Sequence, residues 1–262
     1  MDGNAQHFDE VILPSSSAGP LAQDEEWCEV VTAGQHRRIR FHDYAALYSI
    51  PGLYERLFYE ELKCCSPQTV SGLLTDVLVR SGTDPAGLVC LDLGAGNGMV
   101  GETLVTLGVG AVVGIDILPE AAMATQRDRP GVYESYLVTD LTDLDAAERS
   151  KLSDRHFNLL TTVAALGFGD IPPAAFAAAY DLLIRDGWVA LTLKEDFLAA
   201  DDPSGFALLI RQMLESGHLE VQAQKTYQHR LSSQGNPLHY TAIVARKVGD
   251  ASPDVVNAGS LT

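Results

Sequence analysis

The sequence predicts an open α/β fold: a doubly wound sheet of seven strands, mostly parallel with an antiparallel last strand, preceded by an N-terminal helical lid. Three observations carry this. From residue 88 onward, short apolar runs alternate with helical patterns, the mark of strands covered on both faces by crossover helices. The last two runs are separated only by residues 232–237, too few for the crossover that a parallel return needs. Ahead of the alternation, aromatic and apolar residues of 44–62 recur at helical spacing.

Taken in order, residues 1–25 carry Ser15-Ser16-Ser17, scattered Pro and Gly and no periodicity, and are expected to form a flexible tail. Trp27-Cys28-Glu29-Val30-Val31 and Arg38-Ile39-Arg40-Phe41 alternate apolar and polar residues around Gly34, which predicts a hairpin. With the helical stretch of 44–62, broken at Pro51-Gly52, it makes 26–64 a hairpin and lid segment. Ser66 reads as an N-cap and Pro67 as a first helical residue. Val70, Leu73, Leu74, Val77 and Leu78 follow at three- and four-residue steps until Gly82. The main domain, 65–247, is predicted to hold strands at 88–92, 111–116, 134–138, 157–163, 187–193, 219–230 and 238–246. Its helices are expected at 98–107, 119–128, 143–153, 173–184 and 203–216, the last two opened by Pro173 and Asp202-Pro203. Residues 248–262 read as a second flexible tail.

Composition narrows the function. Hydrophobic residues make up 46% and charged residues 20%, an ordinary globular balance. No apolar stretch reaches the roughly 18–20 residues of a membrane helix; the longest candidate, 104–118, is interrupted by glycines and Asp116. The N-terminus is acidic where a signal peptide is basic. A cytoplasmic protein with no membrane partner is expected. The net charge is −17, from 35 acidic and 18 basic residues, and the only basic run is 36–40. That argues against a nucleic-acid partner, whose phosphates need a positive surface, and favours a small neutral or cationic one. Cys28, Cys64, Cys65 and Cys90 form no C-x-x-C pair, so reduced thiols and no metal site are expected.

The chemistry begins at Leu91-Asp92-Leu93-Gly94-Ala95-Gly96-Asn97-Gly98, where the first strand of the alternation gives way to a helix. Glycines there admit positive φ and let a ligand lie directly on backbone amides at the helix N-terminus. Two cofactor classes could use it. Gly96-x-Gly98-x-x-Gly101 matches the dinucleotide fingerprint formally, which would make the chain an NAD(P)-dependent oxidoreductase. The triplet begins late after the strand, however, and Asp116 follows Gly101 by 15 residues where the fingerprint places its ribose acid roughly 20 on.

The other pattern, acid-x-Gly-x-Gly-x-Gly, is met by Asp92, Gly94, Gly96 and Gly98. Further acids stand at Val112-Val113-Gly114-Ile115-Asp116 and at Leu137-Val138-Thr139-Asp140-Leu141, each closing a strand. With these motifs, residues 65–247 resemble the class I S-adenosylmethionine-dependent methyltransferases, small-molecule type, whose fold is Rossmann-like with a reversed last strand. The stretch 157–163 resembles the family's motif at the sulfonium, and Arg185-Asp186-Gly187 stands where the family usually has Pro-Gly-Gly. The resemblance implies roles. Gly94, Gly96 and Gly98 would admit the methionine portion of S-adenosylmethionine, and Asp92 would favour its ammonium group through water. Asp116 would accept from the ribose hydroxyls and Asp140 from the adenine amino group, while Ile117, Leu141 and Val163 or Ala164 pack the purine. The product would be S-adenosylhomocysteine.

Methyl transfer from a sulfonium depends chiefly on alignment, so a general base is optional, and no catalytic residue is assigned. The Asp/Asn-Pro-Pro-aromatic motif of adenine- or glutamine-directed relatives is missing. Gly169-Asp170-Ile171-Pro172-Pro173 comes too late for it and reads as a helix entry, which favours a small-molecule acceptor. Acceptor-side candidates are Leu166, Gly167 and Phe168 after the fourth strand, Lys194, Glu195 and Asp196 after the fifth, and Tyr44, Tyr48 and Tyr54 in the lid. His42, His156, His229 and His239 are candidate bases. A non-catalytic protein that keeps the fold and binds the cofactor is the remaining alternative.

Overall fold

The computed structural model describes residues 8–14, 21–166, 170–194 and 205–251. The main sheet contains β4 (Val89–Leu93), β5 (Ala111–Asp116), β6 (Ser135–Val138), β7 (Leu159–Thr162), β8 (Trp188–Lys194), β9 (Leu219–Leu231) and β10 (Pro237–Lys247). Their spatial order is β6-β5-β4-β7-β8-β10-β9. Pairs from β6 through β8 are parallel, and β10 runs antiparallel to both β8 and β9. Every strand lies within two residues of its expected bounds; β4, β5, β7 and β8 are buried on both faces, whereas β6 is half-buried and β9 is polar and exposed along most of its length. The sheet order reverses between β4 and β7, and that switch point opens a crevice at the strands' carboxyl ends.

Helices α3 (Ser66–Ser81), α4 (Met99–Leu107), α5 (Pro119–Asp128), α6 (Ala146–Ser153), α7 (Pro173–Leu182) and α8 (Phe206–Glu215) cover the sheet. Alternation along β4 shows the two-sided core. Leu91 faces a layer with Phe157, Phe176 and Tyr180, whereas Cys90 faces Leu74, Leu78 and Val112. Helix α6 starts three residues later than expected, since Asp145 is its N-cap, accepting from the amides of Ala147 and Glu148. The expected opening of α8 at Asp202-Pro203 lies outside the described residues.

The N-terminal segment, expected to be a lid and so called below, is a small layer with its own core. Strands β1 (Glu10–Ile12), β2 (Trp27–Thr32) and β3 (Gln35–Arg40) form an antiparallel sheet. Helices α1 (Tyr44–Ser49) and α2 (Leu53–Glu55) follow, the latter running into a π-helical turn, Arg56–Glu61. Cys28, Ile39, Phe41, Leu47, Leu53 and Leu57 fill the space between them. Two expectations are corrected here. Residues 10–12, assigned to a flexible tail, pair with β2, and Val11 and Leu13 pack on the lid core; a three-residue strand is too short to show period-two alternation. Residues 23–25 likewise form a 3₁₀ turn. Ser66 is not the N-cap of α3, a place taken by Cys65. Its hydroxyl is buried instead and bonds the Tyr227 hydroxyl at 2.5 Å and His229 Nδ1 at 2.6 Å.

The lid is fastened to the far end of the chain. Glu26 and Arg230 form a buried ion pair, and Glu26 also accepts from the Ser233 amide. Gln23 Nε2 donates to the Tyr240 hydroxyl at 2.9 Å, and the Leu231 amide donates to the Leu62 carbonyl at 2.7 Å. Among the described residues, no helix is long and apolar enough to cross a membrane.

Candidate cofactor and methyl-transfer site

The turn after β4 is held in left-handed backbone conformations, with φ of +70° at Gly94, +54° at Gly96 and +87° at Gly98. Space excludes side chains as well. A Cβ on Gly94 would lie 2.8 Å from Ile171 Cδ1, and one on Gly96 would lie 2.5 Å from the Tyr48 hydroxyl. Gly98 is the N-cap of α4. The turn is fixed from behind: the Gly96 carbonyl accepts from the hydroxyls of Tyr136 (2.7 Å) and Thr125 (2.8 Å). Gly101 answers to packing, because a Cβ there would meet the Tyr133 ring at 2.6 Å.

The three acids sit in different surroundings. Asp92 is fully buried; its Oδ1 accepts from the Thr161 hydroxyl and its Oδ2 from the Tyr133 hydroxyl, each at 2.7 Å. Burial pushes its pKa up to about 6 against the pull of those two donors, and the nearby Asp116 adds to the rise. Asp116 ends β5, where Oδ2 accepts from the Gly96 amide at 2.9 Å and Oδ1 from the Leu118 amide at 3.0 Å. Burial raises it too, and those amides hold it back. Asp140 caps a short turn, its Oδ1 accepting from the Thr142 amide (2.8 Å) and hydroxyl (2.7 Å), which hold its pKa below the usual range. The Gly96, Leu118 and Ile117 amides take up part of the carboxylate's roughly four acceptor positions, so capacity is left for a ligand hydroxyl.

A cavity of about 530 Å³ opens over this turn. Gly94, Asp116, Ile117, Asp140, Leu141 and Val163 line it, joined by Tyr44 and Tyr48 of the lid. Gly96 lines a second, smaller chamber of about 70 Å³ under the lid, together with Leu166 and the rings of Phe41, Tyr54 and Phe58. Asp92 and Gly98 line neither and stand behind the turn as supports. Lys194 ends β8 opposite Tyr240 and also lines neither. Gly167, Phe168, Glu195 and Asp196 lie outside the described residues. Among the histidines, His156 and His239 line neither space, and His229 reaches the small chamber but is bonded to Ser66. Burial, with the Arg230 charge, lowers the His229 pKa to about 3, so it is a poor base.

Several residues of the site carried no sequence signal. Arg129 donates to Glu55 at 2.6 Å, to Glu102 at 3.1 Å and to the Asn97 carbonyl at 3.1 Å, and Asn97 donates to Glu55 at 2.7 Å. This network ties the lid to the glycine turn. Pro173 does open α7, as expected of a helix entry, but the residues before it do more. Asp170, Ile171 and Pro172 wall the large cavity. Their place after β7, at the carboxyl edge of the sheet, was the signal that could have found them.

A methyltransferase-domain family model matches residues 91–191. The chain contains a class I S-adenosylmethionine-dependent methyltransferase domain. Solved methyltransferases share its fold. NodS, an N-methyltransferase from Bradyrhizobium japonicum solved with S-adenosylhomocysteine, is 15% identical, with 79% of this chain and 97% of that one covered at a TM-score of 0.52. An S-adenosylmethionine-dependent methyltransferase from Clostridium acetobutylicum is 12% identical, with 75% and 97% covered at a TM-score of 0.50. Among curated proteins none matches. The methyltransferase domain takes S-adenosylmethionine as methyl donor, and the site fits it. The glycine turn is a cradle that a Cβ would fill, and two carboxylates with unused acceptor capacity stand along the cavity.

Proposed function

We propose that this methyltransferase domain acts on a small-molecule acceptor by in-line displacement. The observation that carries this reading is the small chamber beneath the lid. It is walled by aromatic rings and by Arg230, which is paired with the buried Glu26, a space suited to a compact molecule. The net charge of −17 supports the same class, since it repels phosphate backbones. The four free thiols suit a reducing cytoplasm.

When bound, the cofactor supplies an electrophilic methyl on a sulfonium. The chain's task is to hold and align it. In this reading Asp116 accepts from the ribose hydroxyls and Asp140 from the adenine amino group, with Ile117, Leu141 and Val163 flanking the purine. Gly94 and Gly96 admit the methionine portion. Asp92, covered by two hydroxyls, favours the ammonium group across the turn rather than by contact. Tyr44 and Tyr48 face the acceptor.

Calorimetry tests the donor half. S-adenosylmethionine should bind and NAD should not, and Asp116→Ala should weaken binding by about 1–3 kcal/mol, the loss of a charged hydrogen-bonding group. Binding of NAD alone would return the chain to the oxidoreductase reading. Incubation with labelled donor and separated cell fractions tests the acceptor half: label recovered only in protein or RNA sinks the small-molecule reading.

A further inference from the structure

A chain of buried hydroxyls fixes one side of the small chamber. Tyr227 and His229 stand two residues apart on β9, so both face Ser66 at the start of α3. The Ser66 hydroxyl lies 2.5 Å from the Tyr227 hydroxyl and 2.6 Å from His229 Nδ1. Serine has one proton to give. Given to Tyr227, it would leave the tyrosine proton without an acceptor among the described residues, a costly loss for a buried hydroxyl. The order is therefore Tyr227 to Ser66 to His229, and Nδ1 accepts. The Cys64 thiol, kept protonated by burial, stands 3.8 Å from the same nitrogen as a second donor. A neutral ring that accepts at Nδ1 carries its proton on Nε2. That N–H has no partner among the described residues, and the ring lines the small chamber.

A second group on the same wall is unsatisfied. Gln23 Nε2 donates to the Tyr240 hydroxyl at 2.9 Å, and Gln23 Oε1 is buried with no partner among the described residues. His229 stacks on the same Tyr240 ring, with centroids 4.0 Å apart. One polar group thus approaches Tyr240 at its face and the other at its hydroxyl end, a donor and an acceptor set apart by part of a ring. Charge is already balanced here: Arg230 donates to Glu26 and, at 2.8 Å, to the Leu231 carbonyl. An anion brought in would be a buried charge without a counter-ion.

Resting on the small-molecule reading above, we infer that His229 and Gln23 determine specificity for an acceptor molecule that carries an uncharged amide. His229 Nε2–H donates to the amide carbonyl oxygen, and the amide N–H donates to Gln23 Oε1. A ketone leaves Gln23 unsatisfied, and the single oxygen of an alcohol does not span the two sides of the ring. The pair recognises the molecule and takes no part in the bond changes. Ser66 and Tyr227 are positioning residues, since they set the tautomer without touching the ligand. The chamber's volume of about 70 Å³ favours a compact group.

Nitrogen-15 NMR of the full chain labelled at histidine reads the tautomer. We expect the His229 proton on Nε2 between about pH 5 and 8, and a mixture of tautomers in Ser66→Ala. A proton on Nδ1 in the parent would overturn the donor assignment, and an unchanged tautomer in Ser66→Ala would overturn the positioning role. Binding is read by ligand-observed NMR on protein saturated with S-adenosylhomocysteine, using four probes of like size: acetamide, acetone, isopropanol and acetate. Acetamide should bind at least about tenfold tighter than the others. His229→Phe keeps the stacking on Tyr240 and should weaken acetamide at least about tenfold, whereas His229→Gln restores an N–H donor and should recover most of that loss. Gln23→Leu should narrow the preference for acetamide over acetone to less than about threefold. Affinity for S-adenosylhomocysteine and the thermal midpoint of each variant separate loss of the donor from loss of fold. Any other probe binding as well as acetamide, or acetamide affinity unchanged in His229→Phe, would overturn the amide assignment. So would the failure of every probe while S-adenosylhomocysteine binds. A parent that does not bind S-adenosylhomocysteine would sink the proposed function itself.

Discussion

Replacing Asp92 by Asn isolates the cost of keeping a charge beneath the glycine turn. The carboxyl is buried with only the Thr161 and Tyr133 hydroxyls as donors, and its pKa stands at about 6 against an ordinary 3.8. For an acid raised in the folded state, protonation is linked to folding. The stability it contributes is fully present below about pH 4 and is lost as pH rises through about 6. At about 1.36 kcal/mol per unit, that loss amounts to roughly 3 kcal/mol by neutral pH. Asn carries no charge to desolvate; one hydroxyl can keep donating to its amide oxygen while the other turns to accept from its amide nitrogen. Asp92→Asn should therefore be more stable than the parent at pH 7.5 by about 2–3 kcal/mol, a rise of several degrees in Tm for a chain of this size. The advantage should shrink toward pH 4. Urea unfolding of both proteins across pH 4–7.5 gives the difference directly, since the other carboxylates cancel between them. A variant less stable at pH 7.5, or a difference that does not change with pH, would refute the assignment of a strained buried carboxylate. A fall in donor affinity in the same variant is expected if the charge serves the ligand at the expense of stability.

Gly96→Ala forces a non-glycine residue to φ of +54° and a Cβ to within 2.5 Å of the Tyr48 hydroxyl. It should cost about 1–2 kcal/mol from the backbone alone and at least tenfold in donor affinity by calorimetry. Gly101→Ala drives a methyl into the Tyr133 ring at 2.6 Å, and should destabilise by about 1–3 kcal/mol as an overpacked core does, seen as a lower urea midpoint. Arg129→Met removes three hydrogen bonds from the lid anchor and should lower stability by about 1.5–3 kcal/mol. Hydrogen exchange should rise across residues 53–61 while the β4 amides stay protected.

The centre of the sheet was legible because β4, β5, β7 and β8 are buried runs rich in apolar residues, and Asp116 and Asp140 were legible because one ends a strand and the other stands two residues after one. Ligand contacts at the ends of strands follow from the topology once the strands are known. What stayed hidden is of another kind. Tyr133 reaches Asp92, Arg129 reaches Glu55, and His42 reaches Asp170 from loops or helix ends with no periodicity of their own. Each pair is joined by three-dimensional closure across dozens of residues, a distance over which spacing rules say nothing. Ser66 misled for the opposite reason: a sound local cap signal gave way to a buried partner on β9. Val11 and its neighbours were too few to register as a strand until β2 supplied the ladder.

The fastening of the lid to β9 and β10 also sets an order of events during synthesis. Glu26 and Arg230 are 204 positions apart, and Arg230, His229 and Tyr240 are all walls of the small chamber. A nascent chain that has delivered the glycine turn, Asp116 and Asp140 already holds polar lining of the large cavity. It cannot yet complete the small chamber, and Glu26 has no counter-ion with which to enter the interior. The emerging polypeptide thus exposes the aromatic face of its N-terminal layer until β9 and β10 have been made, because those strands supply Arg230, His229 and Tyr240 to the small chamber.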